Sequence, residues 1–399
     1  MKTMNRNALL RGGIGLLLML LLGAMYAWSY FKVALGQVYP GWSQAQITLN
    51  FTILMSVFCV AGVVAGNLKK VTKSLQVVLA AVLMASGFFG VSVLSADPDT
   101  ALIQLYLCYG VLTGFGTGLA YNAVLSGIQP WFPNAPGVIS GVLLMGMGFG
   151  SLILGNVAAA LLEVVDLSTT FRIFSVGSLV LLLVCAPMIR PPRPGEVEAK
   201  AVSGPAGEEQ RSYTTGEMLR RPTFWLYFCW NILFSASGAL VINSASSITL
   251  FYGLAAVVGL LVSVFNGLGR LFIGNCMDRL GWKKTMYLNN VCLLAAGALL
   301  LVGDKTSAAA IVVVGMLLVG VCYGGGITIS AALIRSLYGS KHYASNFAVC
   351  NLCIVPGAIL GPMLSAVLQD SFGGYFATFV MVMVIGLVAL VLNVFIRKP

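Results

Sequence analysis

The chain has 399 residues, of which 59% are hydrophobic and 9% charged, with a formal net charge of +11. Soluble domains carry about 25% charged residues, so the composition excludes a water-soluble fold and points to a polytopic membrane protein. The positive charge is not a nucleic-acid signature, because no basic stripe interleaves with aromatics; it fits the bias of Lys and Arg towards cytosolic loops, and no nucleic acid is expected as a partner.

A helix needs about 20 apolar residues to cross a bilayer. Twelve stretches qualify in chain order: 12–35, 46–66, 75–95, 101–125, 137–162, 168–189, 222–245, 251–276, 286–303, 307–334, 344–369 and 373–396. They are numbered span one to span twelve below. They are too long and continuous for barrel strands, so the expected fold is an all-α membrane protein of twelve transmembrane helices. Span one follows Lys2, Arg6 and Arg11, but its apolar part exceeds a signal-peptide core, and it is expected to be retained.

With the N-terminus in the cytosol, all of the 23 Lys and Arg except Lys32, Arg172, Arg270 and Lys305 fall on cytosolic segments. The opposite loops carry Asp97, Asp99, Glu163, Asp166, Asp304 and Asp370. This asymmetry places both termini in the cytosol of a cell (inner) membrane protein. Arg172, near the outer end of span six, reads as interfacial.

Residues 191–217, PPRPGEVEAKAVSGPAGEEQRSYTTGE, are rich in Pro, Gly and charge and read as a flexible linker. The expected organisation is residues 1–189 as a first six-helix half, 190–221 as cytosolic linker and 222–399 as a second six-helix half. The halves echo each other. Gly114 and Gly118 match Gly320 and Gly324, and ILG at 153–155 matches ILG at 359–361, all at one separation. Such repeats around a midplane site are the architecture of secondary transporters. Gly110, Gly114 and Gly118, four residues apart on span four, read as helix packing rather than as ligand contacts.

The nine cysteines fall almost all in apolar runs and read as small hydrophobes. Cys350 and Cys353 form a C-x-x-C, but no second pair follows and His342 is the lone histidine, so no metal and no cofactor are expected.

The run Gly274-x-x-x-Asp278-Arg279-x-Gly281-x-Lys283-Lys284, between spans eight and nine, resembles the cytosolic loop signature of the major facilitator superfamily. Its first-half counterpart is degraded: after Gly62 the acidic position is Gly66, and Lys69, Lys70 and Lys73 alone keep the basic character. In that superfamily the acid and bases of this loop latch helices in one state. MYAWSYF (25–31), GFGTGLAYNAVLSGIQPWFP (114–133), GEMLRRPTFWLYF (216–228), FNGLGRLFIG (265–274) and NFAVCN (346–351) resemble the oxalate:formate antiporter family, which borders the monocarboxylate transporters.

Arg270 stands inside an apolar run, about 12 Å up the helix from Asp278. Ser263, Asn266 and Arg270 share one helix face, and a polar face on an apolar span points to the bundle interior or a water-filled cavity. All twelve acidic residues fall in loops or at span ends. Arg270 therefore has no evident internal partner, and an unpaired buried charge costs several kcal/mol. A bound carboxylate, which the guanidinium fork suits, removes that cost. The alternative is an arginine that bonds backbone carbonyls and holds helices together.

The resemblance implies that Arg270 engages substrate carboxylate. It places Tyr26, Tyr121 and Tyr323 on cavity aromatics of spans one, four and ten; packing or interfacial aromatics are the alternative. Asn266 and Asn351 complete the candidate substrate-binding set. Oxalate carriers of the family place a lysine on span eleven where this chain has Ile354. Asn266 replaces the aspartate that monocarboxylate transporters carry one turn before their arginine. Lys32 is a possible gate or second cation, or a residue snorkelling to the outer interface.

The expected function is secondary transport of a small organic anion, a monocarboxylate of the lactate, pyruvate or formate type, by alternating access in a monomer. Proton-linked symport, export of another amphipathic anion and a non-transporting nutrient sensor are the alternatives. No mid-span acid, histidine or nucleophile–base pair meets the needs of an enzyme.

Overall fold

A computed structural model describes residues 6–68, 70–196 and 212–398. The chain is helical, and eleven continuous helical stretches among the described residues are long and apolar enough to cross a membrane. The longest, Leu261–Lys305, is interrupted at Gly281, whose φ of 77° breaks the helix. This yields spans eight and nine, and twelve spans in all. The others run Arg6–Val38, Leu49–Asn67, Lys73–Ser92, Pro98–Trp131, Pro136–Val164, Leu167–Met188, Pro222–Phe251, Ala309–Tyr338, Tyr343–Gln369 and Phe376–Phe395. Lys69 and residues 197–211 of the expected linker lie outside the described residues.

Local chemistry sets the helix ends. Ser43 and Gln46 close a capping box at the start of span two, with Ser43 N donating to Gln46 Oε1 at 2.8 Å. Asp97 caps Thr100 N at 2.9 Å, and Pro98 occupies the first turn of span four, where its missing N–H costs nothing. Gly339 (φ 81°) and Gly373 (φ 65°) end spans ten and eleven. After span six, Glu196 takes both guanidinium nitrogens of Arg190 at 2.7 Å and Arg193 N at 2.6 Å. Those bonds hold its carboxyl down at about 2, so it stays ionised through the physiological range.

The chain divides into two compact units, Met1–Pro133 with Gly146–Val202, and Asn134–Met145 with Ser203–Pro399. In the first unit, span four crosses span two along its small-residue stripe. An added Cβ would stand 2.9 Å from Ile53 Cγ2 at Gly110 and 2.9 Å from Leu54 O at Gly114, and at Gly118 it would collide with Phe58 O. Phe31, Phe88, Tyr109, Phe171 and Phe174 form an aromatic core, the closest pair being Phe31 and Phe171 at 4.5 Å.

The second unit repeats these crossings. Gly320 and Gly324 of span ten bring it against Val262 and Asn266 of span eight, as Gly114 and Gly118 bring span four against span two. Gly361 of span eleven meets Ala236 O of span seven, and Gly155 of span five meets the Tyr30 ring of span one. Each glycine of the internal repeat is thus a helix crossing in its own unit. The division places the first turns of span five, Asn134–Met145, with the second unit, where the sequence reading assigned all of span five to the first half. The reason is local: Gly137 and Gly141 press their backbone onto Gly274 and Arg270 of span eight.

Gly118→Ala is expected to destabilise the protein by about 1–3 kcal/mol, because the collision is with backbone that has no rotamer to change. Gly177→Ala, where an added Cβ meets nothing within 4 Å, is expected to leave thermal unfolding in detergent unchanged. Equal melting temperatures for the two variants would refute the crossing.

Candidate functional site

The second unit holds the loop signature and Arg270. Two charges of the signature have structural partners at helix ends. Asp278 accepts from Gly137 N at 2.8 Å and Val138 N at 2.7 Å, the first free amides of span five. A carboxylate here satisfies orphan donors and complements the positive end of the helix dipole. Lys283 does the converse at the end of span twelve, donating to the carbonyls of Asn393 and of Ile396, the latter at 2.6 Å. Gly281 supplies the positive φ of the turn between them, and Gly274 leaves room for the Gly137 carbonyl. Arg279 and Lys284 are exposed.

Arg270 is 3% exposed, so its charge is out of water. Its Nη1 donates to the Leu144 carbonyl of span five, and its Nε is buried without a partner among the described residues. The ion pair found among the described residues is Arg190–Glu196, so the counter-charge that a buried guanidinium requires is not supplied by a carboxylate. Two glycine crossings frame it. Gly141 meets the Arg270 carbonyl from span five, and Gly324 of span ten stands against the Arg270 side chain and Asn266. Asn266 is half-buried, and its Oδ1 is buried with no partner. Arg270 and Asn266 are therefore brought together on span eight, both against Gly324.

The remaining candidates are placed as follows. Tyr323 lays its ring on Gly238 of span seven. Asn351 is buried and is the last residue before a break in span eleven at Leu352 and Cys353, after which the helix resumes at Ile354, itself 8% exposed. In the first unit, Tyr121 is buried with its ring 5.1 Å from that of Phe58. Lys32 is half-buried in span one. The backbone of Tyr26 lies in a 3-10 turn, Gly23–Ala27, that interrupts span one; its side chain lies outside the described residues.

Several features escaped the sequence reading. Span four is π-helical from Tyr106 to Thr113, a local widening that concentrates at functional sites. Asn50 of span two faces it at Gly110, fully buried, with both amide atoms unpartnered among the described residues. The signal available was a lone amide in the apolar run ITLNFTIL. In the second unit, Asn231 of span seven donates to Ser330 Oγ at 2.7 Å and to Cys353 Sγ at 2.9 Å, and Tyr227 OH lies 2.8 Å from the same Ser330 oxygen. This network joins spans seven, ten and the break in span eleven. It gives Cys353 a hydrogen-bonding role; Cys350 and Cys353 are both buried and reduced.

Twelve spans, repeated glycine crossings and a loop that caps two helix ends are the frame in which a membrane-transporter family can be recognised. The chain belongs to the Major Facilitator Superfamily, whose family model matches residues 14–354 and 252–399. It is 28% identical to the Uncharacterized MFS-type transporter YhjX of Escherichia coli (strain K12) over 85% of this chain and 82% of that protein. It is 26% identical to the Oxalate:formate antiporter of Oxalobacter formigenes over 69% of this chain and 65% of that protein. Among solved structures, a variant of the E. coli fucose:proton symporter FucP shares the fold at a TM-score of 0.69 and 14% identity, over 99% of this chain and 100% of that one.

Asp278→Asn is expected to lower stability by about 0.5–2 kcal/mol, since one carboxylate oxygen that caps a helix amide is replaced by an amide donor. Arg279→Gln is expected to change it by less than about 0.5 kcal/mol. Thermal unfolding of both purified variants checks the contrast, and an Arg279 effect as large as that at Asp278 would argue against the cap.

Proposed function

We propose that the protein is a secondary transporter of small monocarboxylates, in which Arg270 binds the substrate carboxylate and Asn266, Asn351, Tyr323, Tyr26 and Tyr121 contribute polar contacts. The observation that carries this reading is the burial of the Arg270 guanidinium without a carboxylate partner among the described residues. One donor reaches a backbone carbonyl, which steadies the side chain; the planar fork keeps the geometry that suits a carboxylate. A bound carboxylate supplies it. The likeness to an oxalate:formate antiporter supports an organic-anion substrate.

A monocarboxylate is favoured over a dianion because Ile354 is apolar and buried where a second cation is expected. Lys32 is the residue proposed as a gate or second cation. The protein is proposed to act as a monomer in the cell membrane with both termini cytosolic, its two six-helix halves alternating in access, and Asp278 and Lys283 holding helix ends in one state.

Arg270→Gln is expected to abolish transport, and Arg270→Lys to reduce it strongly, because lysine keeps the charge but loses the planar fork. Losing one partner of a desolvated charge pair costs about 2–5 kcal/mol of binding. The checks are uptake of labelled formate, lactate and pyruvate into liposomes and the thermal shift each anion produces. A variant that keeps its melting temperature but loses the anion-induced shift supports binding. Normal transport by both variants at normal reconstitution would refute it.

The expected mode is exchange. Asp, Glu and His are absent from the middle of the described spans, so no conventional side chain carries a proton across. An empty carrier must also occlude Arg270 without a counter-ion, whereas a loaded carrier pairs it. Efflux of labelled substrate from liposomes at fixed pH is therefore expected to rise strongly when unlabelled substrate is added outside. Equal efflux in both conditions, with uphill accumulation driven by a pH gradient alone, would favour proton-linked symport instead.

A further inference from the structure

The polypeptide enters span seven through a single helical turn, Thr215–Leu219, followed by Arg220 and Arg221 and by Pro222 in the first turn of the span. Pro222, Trp225, Leu226 and Cys229 recur at helical spacing and present one face of the first two turns. With Leu219 and Arg220 above and Leu392 of span twelve opposite, they line a groove of about 450 Å³ in the second unit.

Three observations give the groove its chemistry. Its walls are apolar apart from Arg220, which is exposed at one end. Trp225 is 50% exposed, and its indole N–H is already taken by the Leu219 carbonyl at 2.8 Å, so the open part of the ring presents carbon. The surrounding charge is predominantly positive. Arg397 and Lys398 follow span twelve and are exposed, and Arg397 lies within electrostatic reach of Lys283. Among residues 212–230 and 376–398 the one acid is Glu217, and it is occupied by Thr214 N at 2.8 Å and Thr214 Oγ1 at 2.9 Å in a capping box. Arg221 is turned onto the Tyr213 ring, at 5.6 Å, which leaves Arg220 as the cation at the mouth.

An apolar trough at the end of a membrane span, with a tryptophan on its wall and a cation at its rim, matches an amphipath with an apolar tail and a negative head. We propose that this groove binds one anionic phospholipid, with its phosphate at Arg220 and an acyl chain along Trp225, Leu226, Cys229 and Leu392. The choice of leaflet rests on the cytosolic placement of the linker proposed above. The site itself rests on neither the transported substrate nor Arg270.

The test uses the intact protein in phosphatidylcholine vesicles containing a minor fraction of either brominated phosphatidylglycerol or brominated phosphatidylcholine. Bromine quenches tryptophan on contact, and the part of the quenching that disappears in Trp225→Phe reports this groove. Phosphatidylglycerol is expected to occupy it roughly fivefold more strongly than phosphatidylcholine, the factor that about 1 kcal/mol per basic residue at a membrane surface produces. Arg220→Gln is expected to bring the ratio near one while Trp225 remains quenched by both lipids, and Arg220→Lys to retain the preference. Free glycerol phosphate is expected not to reverse it. Equal quenching by the two lipids in the wild type would mean ordinary annular contact and would overturn the proposal. So would a preference that survives in Arg220→Gln, reversal by free glycerol phosphate, or a Trp225 that neither lipid quenches because protein covers it. Quenching does not require flux, so loss of transport in another assay leaves this result unaffected.

Discussion

Lipid offers no hydrogen-bond partner, and the rest of the structure follows from that constraint. Every backbone amide within the membrane must bond inside its own helix, so the chain is built of twelve spans. Apolar side chains gain nothing from leaving lipid for one another, so helices associate through close backbone approach. The repeated glycines supply it. Gly114 and Gly118 set span four on span two, and Gly320 and Gly324 set span ten on span eight. A methyl group at these points would meet backbone, which cannot move aside as a side chain can.

The same constraint governs the charges. A helix end leaves amides or carbonyls unbonded, and the loop between spans eight and nine places its charges at such ends. Asp278 closes the start of span five, and Lys283 closes the end of span twelve. Opposite charges meet opposite ends of the helix dipole. Arg270 departs from this pattern. It is buried, bonds the Leu144 carbonyl, and has no carboxylate partner among the described residues. A desolvated charge without a carboxylate is the physical reason the proposal above centres on it. The helix breaks at Tyr106–Thr113 and Leu352–Cys353 lie beside polar side chains, Asn50 and Asn231, for a related reason. An interrupted helix frees backbone groups, and neighbouring amides and hydroxyls such as Asn231 and Ser330 gather at such points.

The spans were legible because hydropathy over about 20 residues marks a span. The loop at residues 274–284 was legible through its resemblance to a superfamily signature. Gly110, Gly114 and Gly118 were also legible as a packing stripe, since small residues four apart in a span let helices approach. The burial of Arg270 followed from its depth below Asp278. Its bond to Leu144 did not, because the two residues are far apart in sequence and no local pattern pairs them. The grouping of Asn134–Met145 with the second unit was hidden for the same reason: a helix that is continuous in sequence gives no sign of where its contacts change allegiance. Asn50 stood in plain view in an apolar run, but its isolation from any partner is a property of the packed neighbours.

Sequence alone determined that the chain spans a membrane twelve times, that its halves repeat, and that one arginine lies deep in span eight without a nearby acid. These are statements about composition and period, and lipid enforces them whatever the tertiary arrangement. Only the tertiary structure decided which helix ends Asp278 and Lys283 close, which backbones the glycines admit, where spans one, four and eleven break, and that the Leu144 carbonyl receives Arg270. Those depend on contacts between residues distant in the chain, and they are fixed by the fit of one helix surface to another rather than by any local preference of the residues that make them.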